Sequence, residues 1–356
     1  VTTGEPLAQA LRKCPQLTVV PSRFDYYIKC SHRMMELLET YTPDHEKFSI
    51  DEIFLDMTQT IHLFGQPLEV ANRIRERIRD ELGFTVNIGV APNKLLAKMA
   101  SDFEKPDKCH TLFAHEIPSK LWPLPIRELF FVGGAAQRKM ENLGIHTIGQ
   151  LASCDLEVLK AHLGEKYAVT IRGYANGVDD DPVAEKDPIN KCYGNSVTLS
   201  RDVSDYETAC QVILSLCETV GARLRADRVL CRNVCVELKD WEFHTQSHQM
   251  VLPEPTDSTS ALYGYACRLL REFWDRTPVR LIGVRAGKID DDSFSQLSLF
   301  DSPSNRKKKE LEKAVDQIRS KFGVDSIKRA SFLKEDSIVD HAASKRKHLN
   351  RQEDIR

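Results

Sequence analysis

The feature that most constrains this chain is a change of periodicity along its length. Strand and helix patterns alternate up to about residue 112, residues 117–177 read as helix alone, and from Lys191 the order is β-α-β-β-α-β. No single sheet or bundle accommodates that succession, so the 356 residues must pack as several small units. Hydrophobic residues make up 41% and charged residues 29%, which is enough apolar material for such cores. No apolar run approaches the roughly 18 residues a membrane span needs, so no membrane partner is expected. The start, Val1-Thr2-Thr3-Gly4-Glu5-Pro6, carries no leader pattern and no initiator Met, and a cytoplasmic protein is the default expectation.

The ten cysteines are scattered without a C-x-x-C pair, and we read them as reduced core residues. His244 and His248 have H-x-x-x-H spacing but no evident acidic or cysteine partner, which favours a surface strand over a metal pair. With a net charge of -2, bulk electrostatics does not point to nucleic acid, and any such contact must come from local arrangement.

Apolar spacing predicts helices over Glu5–Cys14 and Phe24–Tyr41 with a strand at Leu17–Val20 between them. Phe48–Met57 has the pattern of a β-hairpin with Asp51-Glu52 at its tip; Leu68–Leu82 is helical and Gly83–Val90 a strand. The residues up to about 112 therefore form a sheet with helices on one face. Residues 117–177 form a separate helical module, and 178–190 form a solvated linker. After Ile289 polarity rises into a basic, partly helical tail, with Arg306-Lys307-Lys308-Lys309 near its start, expected to be mobile at least beyond about Phe332.

Adjacent carboxylates at a hairpin tip can converge on one cation, so Ser49-Ile50-Asp51-Glu52-Ile53-Phe54-Leu55-Asp56 is either a solvated acidic turn or a hard-metal site. Asn93-Lys94-Leu95-Leu96-Ala97-Lys98 opens a helix after a strand, where free N–H groups and a lysine suit a triphosphate; Lys94 alone is otherwise an ordinary surface lysine. Gly133-Gly134 before a helix would let backbone amides approach a phosphate, or make a plain tight turn. Arg280 and Arg285 fall on opposite faces of a regular strand, so both serve one groove only if that strand bends, and Arg280 is the favoured phosphate contact. The pentapeptide Gln296-Leu297-Ser298-Leu299-Phe300 puts apolar anchors in a polar stretch, which suits docking to a hydrophobic pocket.

Ser49–Asp56 together with Gly89–Asp102, in this order and at this distance, resembles the palm of the Y-family DNA polymerases. The glycine pair with Leu143-Gly144-Ile145 resembles that family's helix-hairpin-helix thumb, although the family's glycines usually flank an apolar residue. The β-α-β-β-α-β unit resembles its little finger, and Gln296–Phe300 resembles the bacterial sliding-clamp motif.

The resemblance implies an α+β multidomain, right-hand polymerase with a ferredoxin-like palm, a helical thumb and a split-βαβ little finger. Its divisions would be 1–22 (remnant of the fingers), 23–112 (palm), 113–177 (thumb), 178–190 (linker), 191–290 (little finger) and 291–356 (tail). It implies template-directed translesion DNA synthesis by a monomer acting on primer-template DNA and a deoxynucleoside triphosphate. It also implies metal binding by Asp51 and Glu52 with two Mg2+ ions, triphosphate binding by Lys94, and DNA contacts from Gly133, Gly134 and Arg280. Gln296, Leu297, Leu299 and Phe300 would bind the clamp. In the family another metal-binding aspartate and a tyrosine and arginine for the triphosphate lie upstream of the segment matched here, so the chain is expected to lack them. A non-catalytic DNA- and clamp-binding fragment is therefore the alternative. Another palm-type nucleotidyl enzyme, such as a cyclase, shares the acidic hairpin but explains neither the glycines nor the pentapeptide.

Overall fold

The computed structural model describes residues 1–183, 190–291 and 303–332, which divide into two compact units, Val1–Asp187 and Pro188–Arg356.

The first unit opens with α1 (Leu7–Lys13) and α2 (Phe24–Glu39). The predicted strand at Leu17–Val20 does not form: Val19 and Val20 are exposed and no strand pairs with them, so β-branched propensity alone does not hold them extended in a sheet. The hairpin is β1 (His45–Lys47) and β2 (Ile53–Leu55), antiparallel, with residues 48–52 as its tip. Next come α3 (Pro67–Arg77), a π-turn over Ile78–Leu82, and β3 (Ile88–Val90), which pairs in parallel with β4 (Cys109–Thr111). Between those strands runs α4 (Lys94–Ser101). Strand β4 was not legible, because three residues carry too little alternation to register as a period. Met34, Leu37, Leu38, Val70, Ile74 and Ile78 form the core under the hairpin.

Gly89 decides how α4 lies on β3. A Cβ there would overlap the backbone of Ala97 and Ser101, so only glycine lets the helix pack directly on the strand. The opposite side of α4 buries Leu95, Leu96, Met99 and Ala100 in one cluster with Leu121, Ile126, Met140, Ile148, Leu151, Leu159 and Ile171. Those residues belong to the helical segment, which contains α5 (Gly134–Glu141), α6 (Ile148–Ser153), α7 (Leu156–Leu163) and α8 (Glu165–Ala175). The segment expected to be a separate module thus shares its core with α4. Each fully buried leucine or isoleucine contributes about 2 kcal/mol relative to exposure.

The second unit is built of β5 (Cys192–Val203), α9 (Tyr206–Ala226), β6 (Val229–Asp240), β7 (Thr245–Thr256), α10 (Thr259–Phe273) and β8 (Val279–Asp291). The sheet order is β5-β8-β6-β7, antiparallel throughout. Each helix therefore connects two parallel strands with a third inserted between them, the split βαβ arrangement read from the sequence. Both helices pack on one face over Val197, Val234, Val236, Ile282 and Val284.

The described part of the tail, residues 303–332, carries the helix expected there, and the part beyond Phe332 lies outside the described residues. Helix α11 (Pro303–Phe322) docks by ion pairs: Arg225 of α9 meets Asp316 at 2.6 Å and Glu312 at 3.4 Å, and Glu218 meets Arg319 at 3.1 Å and Arg329 at 2.6 Å. Arg225, Arg319 and Glu218 are almost wholly buried, so leaving any one unpaired would be costly.

Glu116, in the 3₁₀ turn Ala114–Glu116, accepts from the Phe113 amide at 2.7 Å and from Thr111 Oγ1 and Lys120 Nζ at 3.0 and 2.5 Å. Burial by itself would raise its carboxyl, but the Lys120, Phe113 and Thr111 bonds outweigh that and depress it to about 2. A depressed carboxylate stabilises the fold above its unfolded value of about 4.5 and loses that contribution as pH falls towards about 2. Glu116→Gln should therefore lower the melting temperature at pH 6 to 7, and the difference from the parent should close by about pH 2. A gap that stays constant across that range would show that the charge is not what stabilises the turn.

Candidate functional site

The acidic tip is a tight loop: the amides of Phe48 and Ser49 both donate to the Glu52 carbonyl, at 3.0 and 3.1 Å. Ser49 Oγ donates to Asp51 Oδ1 at 2.6 Å, and the Asp51 carboxylate is exposed at the apex. Glu52 points to α4, where Lys98 Nζ lies 2.6 Å from Glu52 Oε1. Lys98 also meets Asp102 at 3.0 Å, and Asp102 meets Lys105 at 2.7 Å, so alternating charges run Glu52, Lys98, Asp102, Lys105. Burial would lower the Lys98 ammonium, but its bonds to Glu52 and Asp102 raise it above the usual lysine range. Burial likewise works to raise Asp102, and its lysine partners hold it below the usual range.

Lys94 lies on the same side as the hairpin but is engaged otherwise than the sequence suggested. Its ammonium sits 2.8 Å from Glu46 of β1 and 5.9 Å from the ring centroid of Phe54 of β2. The start of α4 is not an open anion site either. Asn93 Oδ1 accepts from the Leu96 amide at 2.9 Å, and the Asp179 carboxylate accepts from the Leu95 amide at 3.0 Å. Asn93 Nδ2 donates in turn to the Gly177 carbonyl at 2.9 Å. The free N–H groups assumed from the sequence are thus taken by a carboxylate from the segment read as a solvated linker. No local pattern links residues 84 positions apart, so Asp179 could not be found from sequence. The Lys98–Asp102 pair, at i,i+4 spacing, was legible in principle.

Gly133 caps α5 and Gly134 is its first residue. Neither has a positive φ, so they are not the turn. The turn is Leu129–Val132, closed by the Val132 amide on the Leu129 carbonyl at 3.0 Å, with Phe131 in the left-handed region at φ 69°. A Cβ at either glycine would meet nothing within 4 Å, so no neighbouring side chain crowds the backbone on that side.

In the second unit the bend required for Arg280 and Arg285 is present. Val279 pairs with Asp240 and Leu281 with Lys239, leaving Arg280 as one extra residue in β8. Val279 and Ile282 both face the helices, so Arg280 and Leu281 both turn away from them, as does Arg285. Arg280 lies over the Phe243 ring, 4.3 Å from its centroid, at the β6–β7 turn. The same helix-free face carries the small residues Gly194, Ser196, Thr198 and Gly283, together with Leu281 and Glu237.

His248 stacks on Phe273 at 4.4 Å, and His244 lies apart from it in the β6–β7 turn with Asp240 and Glu242. Acidic partners for His244 therefore do exist, contrary to the sequence reading, though the histidine is exposed and ordinary turn hydrogen bonds account for Asp240. Gln296, Leu297, Leu299 and Phe300 lie outside the described residues.

Residues 1–102 match the impB/mucB/samB family, 115–145 its helix-hairpin-helix motif, and 190–299 its C-terminal domain. A DNA polymerase IV of Clostridium acetobutylicum is 42% identical over 336 residues, 94% of this chain and 84% of that protein. DNA polymerase IV 1 of Bacillus subtilis is 35% identical, over 94% of this chain and 81% of its own length. The chain belongs to the Y family of DNA polymerases. Among solved Y-family structures, the chimera Dbh-Dpo4(243-245)-Dbh covers 82% of this chain at 28% identity, with a TM-score of 0.70. The insertion ternary complex of Dbh DNA polymerase aligns at 28% identity with a TM-score of 0.54 over 82% of this chain. The Y-family fold accounts for the acidic hairpin beside α4, the helix-hairpin-helix and the split βαβ sheet together. No helix among the described residues is long and apolar enough to cross a membrane.

Proposed function

We propose that this chain is a template-directed DNA polymerase of the translesion type, joining deoxynucleoside triphosphates to a primer 3′ end. The observation that carries this reading is the convergence of the Asp51-Glu52 tip with the lysines of α4, in a chain matched along 94% of its length by proteins named DNA polymerase IV. That likeness runs through palm, thumb and little finger alike and lends the non-catalytic alternative no support of its own.

Asp51 and Glu52 offer hard oxygen donors, and the Lys98 ammonium against Glu52 is a cation already drawn to the tip. These carboxylates fit Mg2+, which when bound activates the primer hydroxyl and neutralises the departing pyrophosphate. Lys94 and the exposed Lys105 are the cations beside that tip for the triphosphate, each now held by a carboxylate that a phosphate would replace. The start of α5 at Gly133 and Gly134, where no side chain crowds the backbone, suits a DNA phosphate, as do Arg280 and Arg285 on the helix-free face of the second unit's sheet. Because those contacts reach backbone and not base edges, binding would be indifferent to sequence, as synthesis over altered templates requires.

Asp51→Asn or Glu52→Gln should abolish primer extension while primer-template affinity changes by less than about twofold, since a metal ligand and not the phosphate grip is removed. Extension retained at saturating magnesium would refute the metal assignment. Lys94→Ala should raise the nucleotide KM with a smaller effect on kcat; an unchanged dependence of rate on nucleotide concentration would make Lys94 a structural partner of Glu46.

The pentapeptide Gln296–Phe300 lies between the end of β8 at Asp291 and the start of α11 at Pro303, and its partner is the bacterial sliding clamp. Replacing Leu299 and Phe300 together by Ala should lower clamp affinity well over tenfold, at about 2 kcal/mol or more for each anchor, and leave primer-template binding unchanged. Calorimetric titration with the clamp decides it, and equal affinities would make the pentapeptide incidental.

A further inference from the structure

Phe131 is the residue of the first unit whose conformation its own chemistry explains least. It stands at the third position of a turn whose first central residue, Phe130, has no positive φ, the type II pattern that calls for glycine at the position Phe131 occupies. A bulky side chain at φ 69° strains the backbone, and such strain persists only where surrounding contacts impose it. Those contacts are present. Tyr167 Oη donates to the Phe131 carbonyl at 3.0 Å, and the ring is flanked by Phe130 at 4.5 Å and Tyr174 at 6.1 Å. The strain does not serve burial, because Phe131 is 63% exposed. Phe131 stands two residues ahead of Gly133 at the start of α5, where a Cβ on Gly133 or Gly134 would meet nothing within 4 Å.

We infer that Phe131 is a DNA-contacting residue: its ring packs against a deoxyribose of the strand whose phosphate the Gly133-Gly134 amides hold. Duplex bases are already stacked on one another, so the apolar surface available beside a backbone phosphate is the sugar. A ring there adds contact area and no charge. The left-handed conformation at 131 goes with an outward ring, and the Tyr167 hydroxyl holds the carbonyl of that turn. The inference rests on the thumb hairpin meeting DNA, as proposed above.

The test uses the full chain and a primer-template duplex, with binding followed by fluorescence anisotropy across a salt series. Phe131→Gly and Phe131→Asn both accept the left-handed conformation, so the melting temperature should hold or rise. Affinity should fall about fivefold or more, while the slope of log affinity against log salt stays that of the parent, because no phosphate contact is lost. Gly134→Glu, which sets a carboxylate in the phosphate's path, should weaken binding by itself and serves as the control for the hairpin. If Gly134→Glu weakens binding and the Phe131 variants bind like the parent, the inference fails and the hairpin reading stands. If none of the three alters binding, both fail. A lowered melting temperature in both Phe131 variants with unchanged affinity would make the ring a packing residue and overturn the inference.

Discussion

The rest of the first unit depends on the seating of α4. Gly89 lets the helix lie directly against β3, and that contact fixes the height and rotation at which its side chains emerge. One side then buries Leu95, Leu96, Met99 and Ala100 in the core of the helical segment, and another carries Lys94 and Lys98 to the acidic hairpin. Asp179 and Asn93 close the N-terminus of the helix and anchor the chain that leaves α8. A Cβ at position 89 would disturb the hydrophobic core and the charged site together, because one rigid helix connects them.

The charges around the hairpin are arranged as pairs between its carboxylates and the lysines of α4. Glu46 of β1 and Glu52 of the tip each hold a lysine of α4, while Asp51 stays exposed at the apex with a hydrogen bond from Ser49. These pairs are partly exposed, where ion pairs are worth little and exchange readily. Such pairs can be exchanged for other partners at small cost. The contrast is with Arg225, Arg319 and Glu218 in the second unit, which are buried and therefore committed to fixing α11.

The sheet of the second unit uses a different device. Its two faces differ in character, with aliphatic residues under the helices and a mixture of small and charged residues on the other side. The extra residue at Arg280 changes the parity of β8 so that two arginines five positions apart share the open face. A single bulge thus converts a strand that period-2 geometry would split between faces into one that presents both arginines on the same face.

What the sequence by itself determined was whatever depends on local periodicity and short-range chemistry. The amphipathic helices, the acidic hairpin tip and the β-α-β-β-α-β order all follow from spacings of two to four residues, and two motifs in register identified the family. Tertiary structure decided what joins distant positions or overrides local preference. Val19 and Val20 stay out of any strand for want of a partner, and Asp179 caps a helix 84 positions away. Lys98 lies 46 positions from the Glu52 it neutralises, and the turn expected at Gly133-Gly134 falls on Phe131 instead. The physical reason is the same in each case: propensity ranks the conformations open to a short segment, but pairing, capping and ion-pair partners come from elements whose approach only packing can bring about.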